Sequence, residues 1–374
     1  MTARERTLRA LSFEAVDRPP VAGGLLQNAD FLAEMAGADD FWAAPRQHVF
    51  EAFRRMGCDA ILGPVLPKPP DSTTRDAHGR STDFTKREAA PEFTTPEQVA
   101  EYALALPAAS ELRRQFDAQK AYGEYVELMR RGQEEAGDML LIPHCLGYAP
   151  SFPTSDGQFS QVAFLMACRL HTDEVGRLFR HRGEQSRLRL EAVARATIEQ
   201  DLLRLLWIGS DICDARGPVL SPELLERLYF PAVRRAIEPL KDAGIRVVWH
   251  ADANYRLILP RMIELGIDGF QGFYETEDGV RLEDLAQMRA RSGDPLILFG
   301  SISTAWVLPT GTVGDVRHEV ERCVEAAGNG TGLLLAPSSS IGPEVPSENV
   351  LAMYDHARAY VPTWARGSQR IVAS

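Results

Sequence analysis

The decisive stretch is Ile245-Arg246-Val247-Val248-Trp249-His250-Ala251-Asp252-Ala253-Asn254. It follows a helical pattern closed by Gly244 and reads as a short, mostly apolar strand of the kind buried in a parallel sheet. Side chains alternate along a strand, so His250 and Asp252 point the same way, at the C-terminal end where a polar mouth begins. An imidazole and a carboxylate two residues apart suit acid/base chemistry or metal ligation. The alternative is a histidine that merely ties a loop to the sheet.

Working outward, seven more apolar runs are separated by helical patterns. Before the central stretch lie Val21–Leu26, Ala60–Val65, Met139–His144 and Leu202–Ile208. After it come Gly269–Phe273, Leu296–Gly300 and Gly332–Ala336. Helices are expected at 2–12, 30–56, 96–106, 107–136, 158–200 in three pieces, 281–292, 312–326 and 347–361. Another, capped by Ser221-Pro222-Glu223, leads into the central strand and should kink at Pro231. Eight strands alternating with helices predict a single α/β domain over 1–374, a (β/α)8 barrel with an N-terminal helical extension and an inserted excursion near residues 67–135.

Charge narrows the partners. Forty-one basic against 52 acidic residues, a net of -11, argue against nucleic acid and anionic membranes, since both require a basic patch. The basic run Arg177 to Arg195 is interleaved with Glu184 and Glu191 and reads as a solvated helix face. Five widely spaced cysteines without a Cys-x-x-Cys suggest neither a disulfide framework nor a structural zinc site. No apolar leader and no run of 18 apolar residues is present, so a soluble, cytoplasmic protein is expected.

In a barrel, chemistry gathers where strands end. Those ends supply His144 and Tyr148, Asp211 and Asp214, His250, Asp252 and Asn254, Gln271 and Glu275, Ser301 and Ser303, and Ser338 to Ser340. From these we assign His250, Asp252 and Asp211 to catalysis. His144, Tyr148, Asn254, Gln271, Glu275, Ser301 and Ser339 are assigned to substrate binding. Each has a plainer reading as a loop cap or backbone partner. Phe273, Tyr274 and Trp306 suggest an aromatic pocket wall or simple packing. No phosphate-binding loop, dinucleotide fingerprint or nucleophile elbow occurs.

Several motifs are similar to those of the uroporphyrinogen decarboxylase superfamily. They are His250-Ala-Asp-Ala-Asn254, Leu298-Phe-Gly-Ser-Ile-Ser303, Leu308-Pro-Thr-Gly-Thr312, Ala336-Pro-Ser-Ser-Ser340 and Pro346-Ser-Glu-Asn-Val350. The opening Arg4-Glu-Arg-Thr-Leu-Arg-Ala-Leu11 and Asp17-Arg-Pro-Pro-Val21 extend the resemblance to nearly the whole chain, weakest over 67–135. It implies a (β/α)8 barrel and either decarboxylation or corrinoid-dependent methyl transfer. The haem-pathway decarboxylase has an arginine-rich segment where this chain reads Gly23-Gly-Leu-Leu-Gln-Asn28, and a histidine near the place of Ser339, which argues against uroporphyrinogen as substrate. The thiol-methylating branch binds zinc through His-x-Cys and a later Cys. Here those places resemble His250, Asp252 and Ser339, so both thiolates are replaced.

Zinc on His250 and Asp252, with Glu275 or Asp211 as a third ligand, is one reading, and a metal-free site is the other. The resemblance thus implies two reactions on a small molecule. The first is methyl transfer from a methoxylated or methylated compound to a corrinoid carried by a partner protein. The second is cofactor-free decarboxylation of a small carboxylic acid, with Arg216 as a carboxylate anchor. A barrel that only binds a ligand, and a homodimer, both stay open at this stage.

Overall fold

Apolar runs become parallel strands close to where the sequence places them. They are β1 (Ala22–Gly23), β2 (Ala60–Gly63), β3 (Leu140–Pro143), β4 (Leu205–Gly209), β5 (Arg246–Ala253), β6 (Gly269–Phe273), β7 (Ile297–Phe299) and β8 (Leu333–Leu334). The structure is a computed structural model and describes residues 1–67, 91–153, 158–273, 275 and 279–366. Residues 68–90 of the excursion, and Tyr274, lie outside the described residues. Contacts divide the chain into two units, each assembled from separated segments.

The first unit takes residues 1–86, 130–144 and 269–374. Its strand β2 pairs with β1 (Ala22 opposite Ala60) and with β3 (Ala60 opposite Leu140). Strand β7 pairs with β6 (Gly269 opposite Ile297) and with β8 (Leu333 opposite Leu298). A parallel bridge between Val21 and Leu335 joins the last strand to the first, with the Ala22 N–H donating to the Leu335 carbonyl. These six strands therefore run side by side in the order β3, β2, β1, β8, β7, β6.

A buried ion cluster fixes the start of this unit. Asp59, 1% exposed, accepts from Arg6 Nη1 at 2.6 Å, Arg18 Nη1 at 2.6 Å and the Val21 N–H at 2.9 Å. Arg6 also donates through Nε and Nη2 to Asp17. The Arg-Glu-Arg and Asp-Arg-Pro-Pro segments are thus a clamp holding the first helix, Ala3–Leu11, against the beginnings of β1 and β2.

The second unit takes residues 87–129 and 145–268. Here β4 pairs in parallel with β5, from Leu205 opposite Arg246 to Gly209 opposite His250. A small antiparallel hairpin, Cys213–Asp214 with Gly217–Pro218, follows β4. Its longest helix, Thr172–Glu199, packs on the helix Phe230–Asp242.

Helix starts follow local chemistry. Thr2 with Glu5 and Thr95 with Gln98 form capping boxes, and Ser221 caps the Leu224 N–H. Helix lengths depart from expectation in several places. The span 30–56 is Ala29–Ala36, a short 3-10 turn and Pro45–Arg55, because Gly37 closes the first helix in the left-handed conformation. The span 107–136 breaks at Phe116 into Ala109–Gln115 and Ala118–Ala136. Residues 158–200 hold two helices rather than three, Gln161–Leu170 and Thr172–Glu199. Helix 281–292 shortens to Leu282–Gln287. The helix before β5 breaks at Tyr229, which lets Pro231 sit in the first turn of Phe230–Asp242, where no N–H is needed.

Candidate functional site

Strand alternation brings His250 and Asp252 together as expected. His250 Nδ1 lies 3.8 Å from Asp252 Oδ1, and Nε2 lies 4.0 Å from Asp211 Oδ1, two residues beyond the end of β4. Both distances exceed a direct hydrogen bond and describe loose ion pairs that a bound ligand or proton could tighten. The imidazole meets the buried Trp207 ring edge-on, with centroids 5.9 Å apart. Gly209 lets the ends of β4 and β5 approach closely, since a Cβ there would lie 2.3 Å from the His250 carbonyl oxygen. The three residues assigned to catalysis therefore share one corner of the second unit.

The ring has a carboxylate at each nitrogen. Asp252 faces Nδ1 and Asp211 faces Nε2, so one ion cannot sit on a single imidazole nitrogen and touch both acids. Zinc sites use three or four protein ligands. Among the described residues of the second unit, no group of three His, Cys, Asp or Glu side chains brings its donor atoms within 4.8 Å of one another. The residues there fit an oriented acid/base histidine better than a zinc chelate.

Glu275, weighed as a ligand, belongs to a different network in the first unit. Its Oε2 accepts from Arg322 Nη2 at 3.0 Å, and its Oε1 accepts from the buried Ser301 hydroxyl. Burial pushes the Glu275 carboxyl above its usual range, with Arg322 opposing that rise. Glu275, Glu319 and Cys323 place donor atoms within 4.8 Å of each other, but Arg322 already donates to all three. The cluster is centred on a guanidinium. Gln271 is fully buried and donates to the Ser338 carbonyl, so it ties β6 to the chain after β8. His144 is exposed, Ser339 is half-buried, and Trp306 is largely exposed beside Phe273, Glu275 and Ser301.

Asn254, Asp214, Arg216 and Tyr148 lie in the second unit. Asn254 caps a tight turn by accepting from the Arg256 N–H, and its own N–H donates to the Asp214 carbonyl. Asp214 binds Arg216, whose hydrogen bonds hold the carboxyl below its usual range. Arg216 is highly exposed. Tyr148 lines a cavity of about 330 Å³ together with Arg182, Arg189 and Phe116. Neither Arg189 nor Arg322 carries a local signal in sequence, because each meets its neighbours only through tertiary contacts.

Parallel strands, each followed by a helix, with a polar cluster at strand ends, define an α/β enzyme fold. The family model described as uroporphyrinogen decarboxylase matches residues 173–360, and the chain belongs to that family. A methyltransferase from Methanosarcina mazei superposes on 96% of this chain and 99% of its own, with a TM-score of 0.62 and 19% identity. That likeness is one of fold, and with the family match it gives the chain as a (β/α)8 barrel. A uronate isomerase from Bacillus halodurans aligns with 99% of this chain and 89% of its own at 9% identity and a TM-score of 0.24. No curated protein matches in sequence.

Proposed function

We propose that this enzyme transfers a methyl group from a small methoxylated or otherwise methylated compound to a corrinoid carried by a partner protein. The observation that carries the reading is the charge of the His250 corner. Two carboxylates flank one imidazole, which gives the corner an acidic character. Such a site repels a carboxylate substrate and accommodates a neutral or cationic methyl donor. The methyltransferase neighbour, alike over nearly the whole chain, supports the same reading.

The residues divide the work as follows. Asp252 favours a proton on Nδ1, which leaves Nε2 to deliver one. Asp211 stabilises the imidazolium from the other side. As the bond from methyl carbon to heteroatom breaks, its electron pair stays on the heteroatom and takes the Nε2 proton. The reduced corrinoid supplies the electron pair for the new bond to carbon. His250 is left neutral and regains its proton from water.

The test is to mix the protein with free reduced corrinoid and a panel of methyl ethers and methylated amines, following the loss of the reduced corrinoid's absorbance. Turnover that disappears in His250→Ala supports the proposal. Carbon dioxide release from small carboxylic acids, with no methyl transfer to corrinoid, would replace it with the decarboxylase reading.

A further inference from the structure

The cavity at Tyr148 has a chemistry of its own, and its lining comes wholly from the second unit. The helix Thr172–Glu199 contributes Arg182, Gln185, Ser186 and Arg189, spaced three, four and seven residues on from the first and so on one face. Opposite stand Phe116, after the short helix Ala109–Gln115, and Tyr148, on the 3-10 turn Leu146–Tyr148. About 330 Å³ is within the range of small-ligand sites. No aspartate or glutamate is among the lining residues. Glu124, whose charge reaches the Tyr148 hydroxyl, lies outside the lining and pairs with Lys120 at 3.9 Å.

Two features mark this as a place for an anion. Arg189 lies over the Tyr148 ring, 5.1 Å from its centroid, and has no carboxylate partner among the described residues. Arg187, two positions away, is tied to both Glu184 and Glu191. A guanidinium on an aromatic face keeps its in-plane N–H donors for a carboxylate or phosphate. The second feature is the floor. Arg182 is buried and donates to the Ser151 carbonyl and hydroxyl and to Gln158, which fixes the cavity wall in place. Burial lifts the Tyr148 hydroxyl to about 12, so at neutral pH it stays a donor.

We propose that this cavity binds a small organic anion, its carboxylate or phosphate gripped by Arg189 and its apolar body laid against Phe116 and Tyr148. The site does not depend on the methyl-transfer reading. Phe152, next to the lining residue Ser151, donates its N–H to Ser210, the neighbour of Asp211, at 2.9 Å.

Calorimetric titration with benzoate, phenyl phosphate and neutral benzamide at low salt tests it. We expect one saturable site per chain for at least one anion, with benzamide at least tenfold weaker. The tighter of the two anions identifies the head group. Arg189→Gln should weaken that anion at least tenfold without moving the thermal midpoint, and Arg189→Lys should recover only part of the loss. Absence of saturable binding by either anion, or unchanged affinity in Arg189→Gln, would overturn the proposal.

Discussion

His250 keeps its two ring nitrogens in different company, Asp252 on one side and Asp211 on the other. If His250 carries the proton as proposed, removing it should be far more costly than removing either acid. His250→Ala is expected to lower kcat by about 10²–10⁴-fold, the range for a positioned acid or base. Asp252→Asn keeps the shape but loses the charge that orients Nδ1, and should cost about 10–100-fold. Steady-state kinetics with thermal midpoints would check both, and near-wild-type turnover in Asp252→Asn would sink the orienting role. This corner was legible in the sequence because it needs only strand alternation and a strand end. The Glu275 environment was not, since Arg322 reaches it across 47 residues of chain.

At the scale of elements, burial decided what could be read. The strands stand out because every residue of β2, β3 and β4 is buried, leaving uninterrupted apolar runs. Helix breaks were harder, because a left-handed residue such as Gly37 or a short joint such as Phe116–Asp117 changes direction without disturbing the apolar pattern. Helix contacts offer a test. A Cβ at Gly183 would lie 2.9 Å from both Cα and Cβ of Ala232, so the glycine sets how closely Thr172–Glu199 and Phe230–Asp242 approach. Gly183→Val should destabilise by about 1–3 kcal/mol through overpacking, read as a shift in denaturation midpoint. A second test concerns the N-terminal clamp. Asp59→Ala leaves Arg6 and Arg18 without their shared buried carboxylate and should cost about 3–5 kcal/mol, whereas an exposed pair such as Arg227 with Asp173 should cost less than about 1.

For the whole molecule, acid is the condition that strikes both units at once. In the second unit Glu184, 4% exposed, sits among Arg113, Arg187 and Arg235. Burial opposes its ionisation, but hydrogen bonds from Arg187 and Arg113 outweigh that and hold its carboxyl down at about 2. In the first unit, hydrogen bonds from Arg6 hold Asp17 at about 2 as well. A carboxyl with a depressed value in the folded state adds stability that is complete above its unfolded value, 4.5 for Glu184 and 3.8 for Asp17. That stability is lost as pH falls through the folded value. Denaturant midpoints should therefore decline between about pH 4.5 and 2 and not between 7 and 5 on account of these groups. Glu184 is the larger contributor, up to about 3 kcal/mol, because Asp17 is nearly half exposed and screened by water. Glu184→Gln, which keeps the size and gives up the charge, should lower stability at neutral pH and flatten the acid limb. A Glu184→Gln curve running parallel to wild type from pH 7 to 2 would mean that the arginine cage around this carboxylate does not couple folding to protons.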